Sequence, residues 1–211
     1  MVLIKSNFRD DIVWIFNSQN PESLGSHRLS GIIPAEQIGI EKRIFYKTEA
    51  KLFFKKISHK KLIIFAKPFD KSVLDLIKIA KKRKIKIIST FDDWSLDANK
   101  NRIKLWTKIA KESNSVVVKT KYAKEILIKN LNINAEVIED CLEFNPVKPL
   151  KDFSKPIKLC WFGHYSNHDT LVAGIKQIIK GDEQIILDVI TNYIHQPFSS
   201  LIQDLKSLNL L

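Results

Sequence analysis

Short β-branched runs recur along this chain with amphipathic stretches between them, and that alternation leaves few folds open. Strands are predicted at residues 11–16 (DIVWIF), 43–46, 61–66 (KLIIFA), 86–89, 115–118 and 135–138. Their continuous apolar character predicts burial on both faces. Helices are predicted between them. Residues 71–84 place Val73, Leu76, Ile77 and Ala80 on one stripe, with Lys71, Lys78 and Lys82 around it, and residues 99–112 place Ile103, Trp106, Ile109 and Ala110 on another. Residues 121–130 and a stretch near 29–38 complete the set, the latter weakened by Gly31 and Pro34. Strand, helix and strand in repetition predict a parallel sheet flanked by helices, a Rossmann-like α/β domain.

Pro146, Pro149 and Pro156 interrupt the pattern, which then restarts with a strand at 157–162 (IKLCWF), a helix near 170–179, a strand at 185–191 and a helix near 199–208. The predicted organisation is a Rossmann-like domain at 1–145, a linker at 146–156, and the start of a second Rossmann-like domain at 157–211. Two βα units do not close a sheet of five or six strands, so this second domain is expected to be incomplete.

Charge follows the same division. The chain has 211 residues and a net charge of +12; residues 1–150 hold 29 of the 35 basic and 17 of the 23 acidic side chains, and the remainder is neutral. Only five of the basic residues are arginine. Lysine is a hydrated point charge and reads bases poorly. The excess is consistent with a solvated surface or with attraction to a membrane surface, a phosphorylated lipid or nucleic acid. At 45% hydrophobic and 27% charged the chain builds a core. No apolar run reaches the length of a membrane span, and the N-terminus lacks a signal-peptide pattern. Cys141 and Cys160 are too few for a disulfide scaffold or a four-ligand zinc site and read as small apolar residues of a reducing compartment.

Parallel α/β sheets bind ligands at the carboxyl ends of their strands. The loop after the first strand, residues 17–28 (NSQNPESLGSHR), offers Gly25 and Arg28 to a phosphate or carboxylate; alternatively Ser26 caps a helix beside a solvated Arg28. It is neither a dinucleotide fingerprint nor a P-loop. Lys67 follows the third strand, as a phosphate contact or as solvated surface. Asp92 and Asp93 follow the fourth, in STFDDWSLD. Adjacent carboxylates repel, so at least one must face solvent or a cation, and either can accept sugar hydroxyls, act as a base, or form a turn and cap. In the second domain WFGHYSN (161–167) puts Gly163 directly after a strand, where a ligand can approach the backbone, and Asn167 at the entry of the next helix. His59, His164 and His168 make no metal-ligand motif.

In order of elements the whole chain resembles a glycosyltransferase of the GT-B fold, two Rossmann-like domains facing a cleft. Four stretches carry the resemblance: GSHRLSGIIPAE (25–36); Lys67 with FDDW (91–94); SVVVKTKYAKEIL (115–127) leading to VIEDCLE (137–143); and IKLCWFGH (157–164). The resemblance implies sugar transfer from a nucleotide-sugar donor to a glycan or lipid-linked acceptor in cell-surface polysaccharide synthesis. It implies Asp92 and Asp93 as catalytic or acceptor-side groups, Gly25, Arg28 and Lys67 as acceptor or phosphate contacts, and Gly163, His164 and Asn167 as donor contacts. No metal and no cofactor is expected, the nucleotide-sugar being a substrate. The expected location is cytoplasmic, with peripheral contact to an anionic inner membrane face. The paired glutamates with which the family holds the donor ribose and sugar have no counterpart before Leu211, a departure that fits a fragment or a relative that binds without catalysing.

Two other readings stand beside this one. A basic α/β nucleic-acid-binding protein fits the charge but lacks interleaved aromatics or a recognition motif. A non-catalytic two-domain small-molecule binder shares the cleft and would show no preference for a nucleotide.

Overall fold

The computed structural model describes residues 6–68, 70–92, 100–141, 156–163, 168–178 and 185–191, with Gln203 and Lys206. The chain divides into two compact units, Met1–Pro146 and Val147–Leu211. Most of the predicted linker, 146–156, lies outside the described residues, as does all but Gln203 and Lys206 of the helix predicted near 199–208.

In the first unit the strands are β1 (Ile12–Phe16), β2 (Glu41–Ile44), β3 (Leu62–Ala66), β4 (Lys86–Phe91), β5 (Ser115–Val118) and β6 (Glu136–Val137). They form one wholly parallel sheet in the order β2-β1-β3-β4-β5-β6. The helices are α1 (Ser6–Arg9), α2 (Gly25–His27), α3 (Ile33–Ile38), α4 (Ala50–Ile57), α5 (Ser72–Lys82), α6 (Lys100–Glu112) and α7 (Lys121–Leu131). The chain runs from β1 outward to β2 and then reverses across β1 toward β6. Right-handed crossovers therefore put α3 on one face and α4 to α7 on the other. The core divides accordingly. Val13, Ile15, Ile63, Phe65, Ile87 and Val118 pack against α4 to α7, whereas Trp14, Phe16, Ile64 and Ala66 pack with Ile32 and Ala35 on the α3 side.

The stripe predicted for α5 is fully buried at Val73, Leu76, Ile77 and Ala80. Helix α4 was absent from the predicted set. Its buried side chains, Ala50, Phe53, Phe54 and Ile57, follow the i, i+3, i+4, i+7 spacing of a core-facing helix. Each large one contributes about 1.5–3 kcal/mol on burial, enough to outweigh the lysines beside it. Strand β2 starts two residues earlier than predicted and is an edge strand with three exposed positions, so burial on both faces does not extend to it.

Residues 25–38 are helical despite Gly31 and Pro34, through a π turn at Arg28–Ile32. The Ile33 N–H reaches five residues back to the Arg28 carbonyl, and Pro34 has no N–H to offer. The Leu29 carbonyl instead accepts from Cys141 Sγ at 3.3 Å. Gly31 sits in this turn against the Phe16 ring, and Gly39 ends α3 in the left-handed conformation at φ 69°.

The second unit pairs β7 (Ile157–Gly163) with β8 (Ile185–Thr191) in parallel, joined through α8 (His168–Ile178). Leu171, Val172 and Ile175 of α8 pack on Trp161, Leu187 and Val189, while Phe162, Ile186 and Ile190 face outward. Cys160 is exposed on that outer face. Among the described residues no helix is long and apolar enough to cross a membrane.

Candidate functional site

The strand order reverses between β1 and β3, so the crevice for a ligand is expected where those strands end. Asn17 directly follows β1 and is buried at 6% exposure. Its Nδ2 donates to the Phe45 carbonyl at 2.7 Å, and its Oδ1 accepts from the Asp70 N–H at 2.8 Å. One side chain therefore ties the end of β1 to the loops after β2 and β3.

Lys67 follows β3 in the left-handed region at φ 47°, a conformation that crowds a side chain and is disfavoured before Pro68. Two contacts hold it: the Lys67 N–H donates to the Thr90 carbonyl at 3.0 Å, and Trp106 Nε1 donates to the Pro68 carbonyl at 3.0 Å. Backbone strain over-determined in this way is found where a side chain must be aimed. The Lys67 ammonium lies 3.4 Å from Ser26 Oγ and 3.8 Å from Asp92 Oδ2. Ser26 is thus not a helix cap; it stands in the first turn of α2, facing the lysine.

Asp92 follows β4, with its side chain 7% exposed. Ser30 Oγ donates to its Oδ1 at 2.7 Å and lies 3.1 Å from Asp140 Oδ1. A hydroxyl has one proton, so the shorter contact takes it and the two carboxylates share one donor. Lys119, after β5, pairs with Asp140 Oδ1 at 3.0 Å. The ends of β3, β4 and β5, the segment after β6, and the π turn thus bring together two lysines, two carboxylates and a serine. Burial, the largest effect, holds the Asp92 carboxyl above its ordinary range, and the Asp140 charge adds to this. The Ser30 hydrogen bond and the charges of Lys67 and Lys119 pull the other way. Asp92 Oδ2 has no hydrogen-bond donor among the described residues.

His27 lies beneath this edge, fully buried with its ring 5.8 Å from that of Phe16. Burial foremost, then the charge of Lys67, lowers its pKa to about 4, so it is neutral at pH 7.

Of the residues singled out from sequence, Lys67 and Asp92 meet in this cluster. Arg28 donates to the Glu22 carbonyl at 3.0 Å within its own loop, and Gly25 lies close to the Arg28 side chain, a Cβ there falling 3.8 Å from Nη2. Gly163 ends β7 opposite Thr191. Asp93, His164 and Asn167 lie outside the described residues. The sequence reading missed Asn17, Ser30, Lys119 and Asp140. The strand-end rule that found Lys67 and Asp92 also reaches Lys119, one residue past β5. Among the described residues no group of three or more His, Cys, Asp or Glu side chains is placed to hold a metal ion.

No protein-family model matches the chain, and no curated protein matches it. Among solved structures it is similar to the apo form of the lipopolysaccharide outer core galactosyltransferase WaaB, with a TM-score of 0.55 and 16% identity over 94% of this chain. The match spans 65% of that chain's length. At this identity the likeness is one of fold: the two chains share a Rossmann-like α/β architecture.

Proposed function

We propose that the protein is a glycosyltransferase, or part of one, that moves a sugar from a nucleotide-sugar to a glycan or lipid-linked acceptor in cell-surface polysaccharide synthesis. The observation that carries this reading is Asp92: a carboxylate at the carboxyl edge of a parallel sheet, one oxygen held by Ser30 and the other without a hydrogen-bond donor among the described residues, under the positive charges of Lys67 and Lys119. The galactosyltransferase activity named for the similar structure supports the same class of reaction.

In this reading Asp92 Oδ2 accepts the proton of an acceptor hydroxyl. The hydroxyl oxygen attacks the anomeric carbon of the donor, the bond from that carbon to the diphosphate oxygen breaks, and the nucleoside diphosphate leaves with the electron pair. A carboxyl held above its ordinary pKa is the stronger base for this step. Lys67 and Lys119 supply positive charge where negative charge gathers. Arg28 and Gly25 border the acceptor, with Asp93 beside Asp92. Gly163 gives the donor diphosphate a close approach to backbone N–H groups, with His164 and Asn167 next to it. The protein works in the cytoplasm, at the inner face of the membrane where a lipid-linked acceptor is presented.

Calorimetric titration with uridine, guanosine, adenosine and thymidine diphosphates tests the reading. Binding of one of them in preference to its free sugar is expected. Binding of none, or equal affinity for free sugar and nucleotide, contradicts it and favours a plain small-molecule binder.

A further inference from the structure

One layer of helices accounts for the net positive charge of the first unit, the cations and acids elsewhere in it balancing. Helices α4 to α7, all on one face of the sheet, carry 14 lysines and arginines against three acidic residues, a net +11 beside +12 for the whole chain. Residues 21–38, on the opposite face, carry one arginine and two glutamates. Thirteen of the 14 cations are exposed. Two of the three acids pair inside the layer, Asp75 with Lys78 at 3.3 Å and Glu112 with Lys81 at 2.6 Å. The excess is therefore not neutralised from within. An even surface without a ligand would not require this segregation, because solubility needs net charge but not its confinement to one face.

We infer that the exposed face of α4 to α7 is a docking surface for an anionic lipid bilayer. Three features favour a lipid surface over nucleic acid. Thirteen of the 14 cations are lysine, with Arg102 the exception; ammonium groups suit a plane of phosphates, whereas base and phosphate forks call for arginine. The cations spread over four helices instead of tracking one groove. Large apolar side chains stand exposed among them, Leu52 at 52% on α4, and Tyr122 at 70% and Ile128 at 46% on α7. These are the residue types that enter the headgroup region beside lysines.

The docking surface deepens the transferase reading by naming where a lipid-borne acceptor is met, and it rests on that reading for the acceptor alone. Helices on the face of a parallel sheet run antiparallel to its strands, so the N-termini of α5, α6 and α7 lie at the carboxyl edge that carries Lys67 and Asp92, and a bilayer against α4 to α7 borders that edge.

Co-sedimentation of the full chain with phosphatidylcholine vesicles, with and without phosphatidylglycerol, tests the inference. Binding is expected only with phosphatidylglycerol, and it should be lost as salt rises. The triple variant Lys56→Glu, Lys82→Glu, Lys108→Glu should bind these vesicles about tenfold or more weakly, with an unchanged circular dichroism spectrum, while Lys42→Gln on the α3 side should bind as the wild type does. Salt-insensitive binding, full retention by the triple variant, or equally tight binding of double-stranded DNA at the same salt overturns it. Nucleoside diphosphate titration without vesicles separates the two proposals. Nucleotide binding without vesicle binding removes the docking surface alone, and vesicle binding without nucleotide binding removes the transferase reading while docking stands.

Discussion

Ser30 Oγ donates to Asp92 Oδ1 at 2.7 Å across 62 positions of sequence, joining the π turn between α2 and α3 to the end of β4. The bond stabilises the ionised carboxylate, against burial, which favours the neutral acid.

Ser30→Ala removes that bond, so the Asp92 pKa should rise further. A base acts only when ionised, and activity climbs with pH through its pKa. The acid limb of the pH–rate profile is therefore expected to move to higher pH in Ser30→Ala. An unmoved limb would show that Asp92 is not the base or that Ser30 does not tune it.

His27 should titrate in the folded protein with a midpoint of about 4, read from its imidazole proton resonances. Because this lies below the ordinary 6.5, the unfolded chain takes up a proton that the folded chain refuses between those values. The contribution to stability is full above about pH 6.5 and is lost as pH falls toward 4, on the order of 3 kcal/mol in all. Urea melts of His27→Leu should show a flatter pH dependence over that window than the wild type. A midpoint near 6.5 would place His27 in water.

Gly31→Ala puts a Cβ 2.5 Å from Phe16 Cε1 and 2.9 Å from Cζ, too close for any real contact. Both ring atoms belong to a fully buried side chain with little room to give way. The variant should lose about 1–3 kcal/mol in urea denaturation. A neutral change would mean that the Phe16 ring and π turn can separate freely.

The order of elements was legible because parallel strands buried on both faces read as unbroken apolar runs, as β1 and β3 do. The eight residues of α4 were not, since four core positions among three lysines give a short and diluted period. Pro34 and Gly31 argued against a helix from 29 to 38; the π turn accommodates both, and no local propensity announces one. In the site, Lys67 and Asp92 were found because each directly follows a strand. Ser30 and Asp140, which meet across 110 positions, have no periodic signature and appear only when the sheet order sets the strand ends side by side. The segregation of charge was hidden for the same reason. The sequence places the lysines in the first 150 residues, but only the crossover hand puts α4 to α7 on one face.

The most direct test of sugar transfer through Asp92 is nucleoside diphosphate release from uridine, guanosine, adenosine and thymidine diphosphate sugars in the presence of extracted membrane glycolipid, comparing the wild type with Asp92→Asn. The account predicts release from one donor by the wild type and a loss of about 10²–10⁴-fold in Asp92→Asn, with nucleotide affinity nearly unchanged. Equal rates in the two proteins, or equal loss of turnover and nucleotide binding, would contradict it.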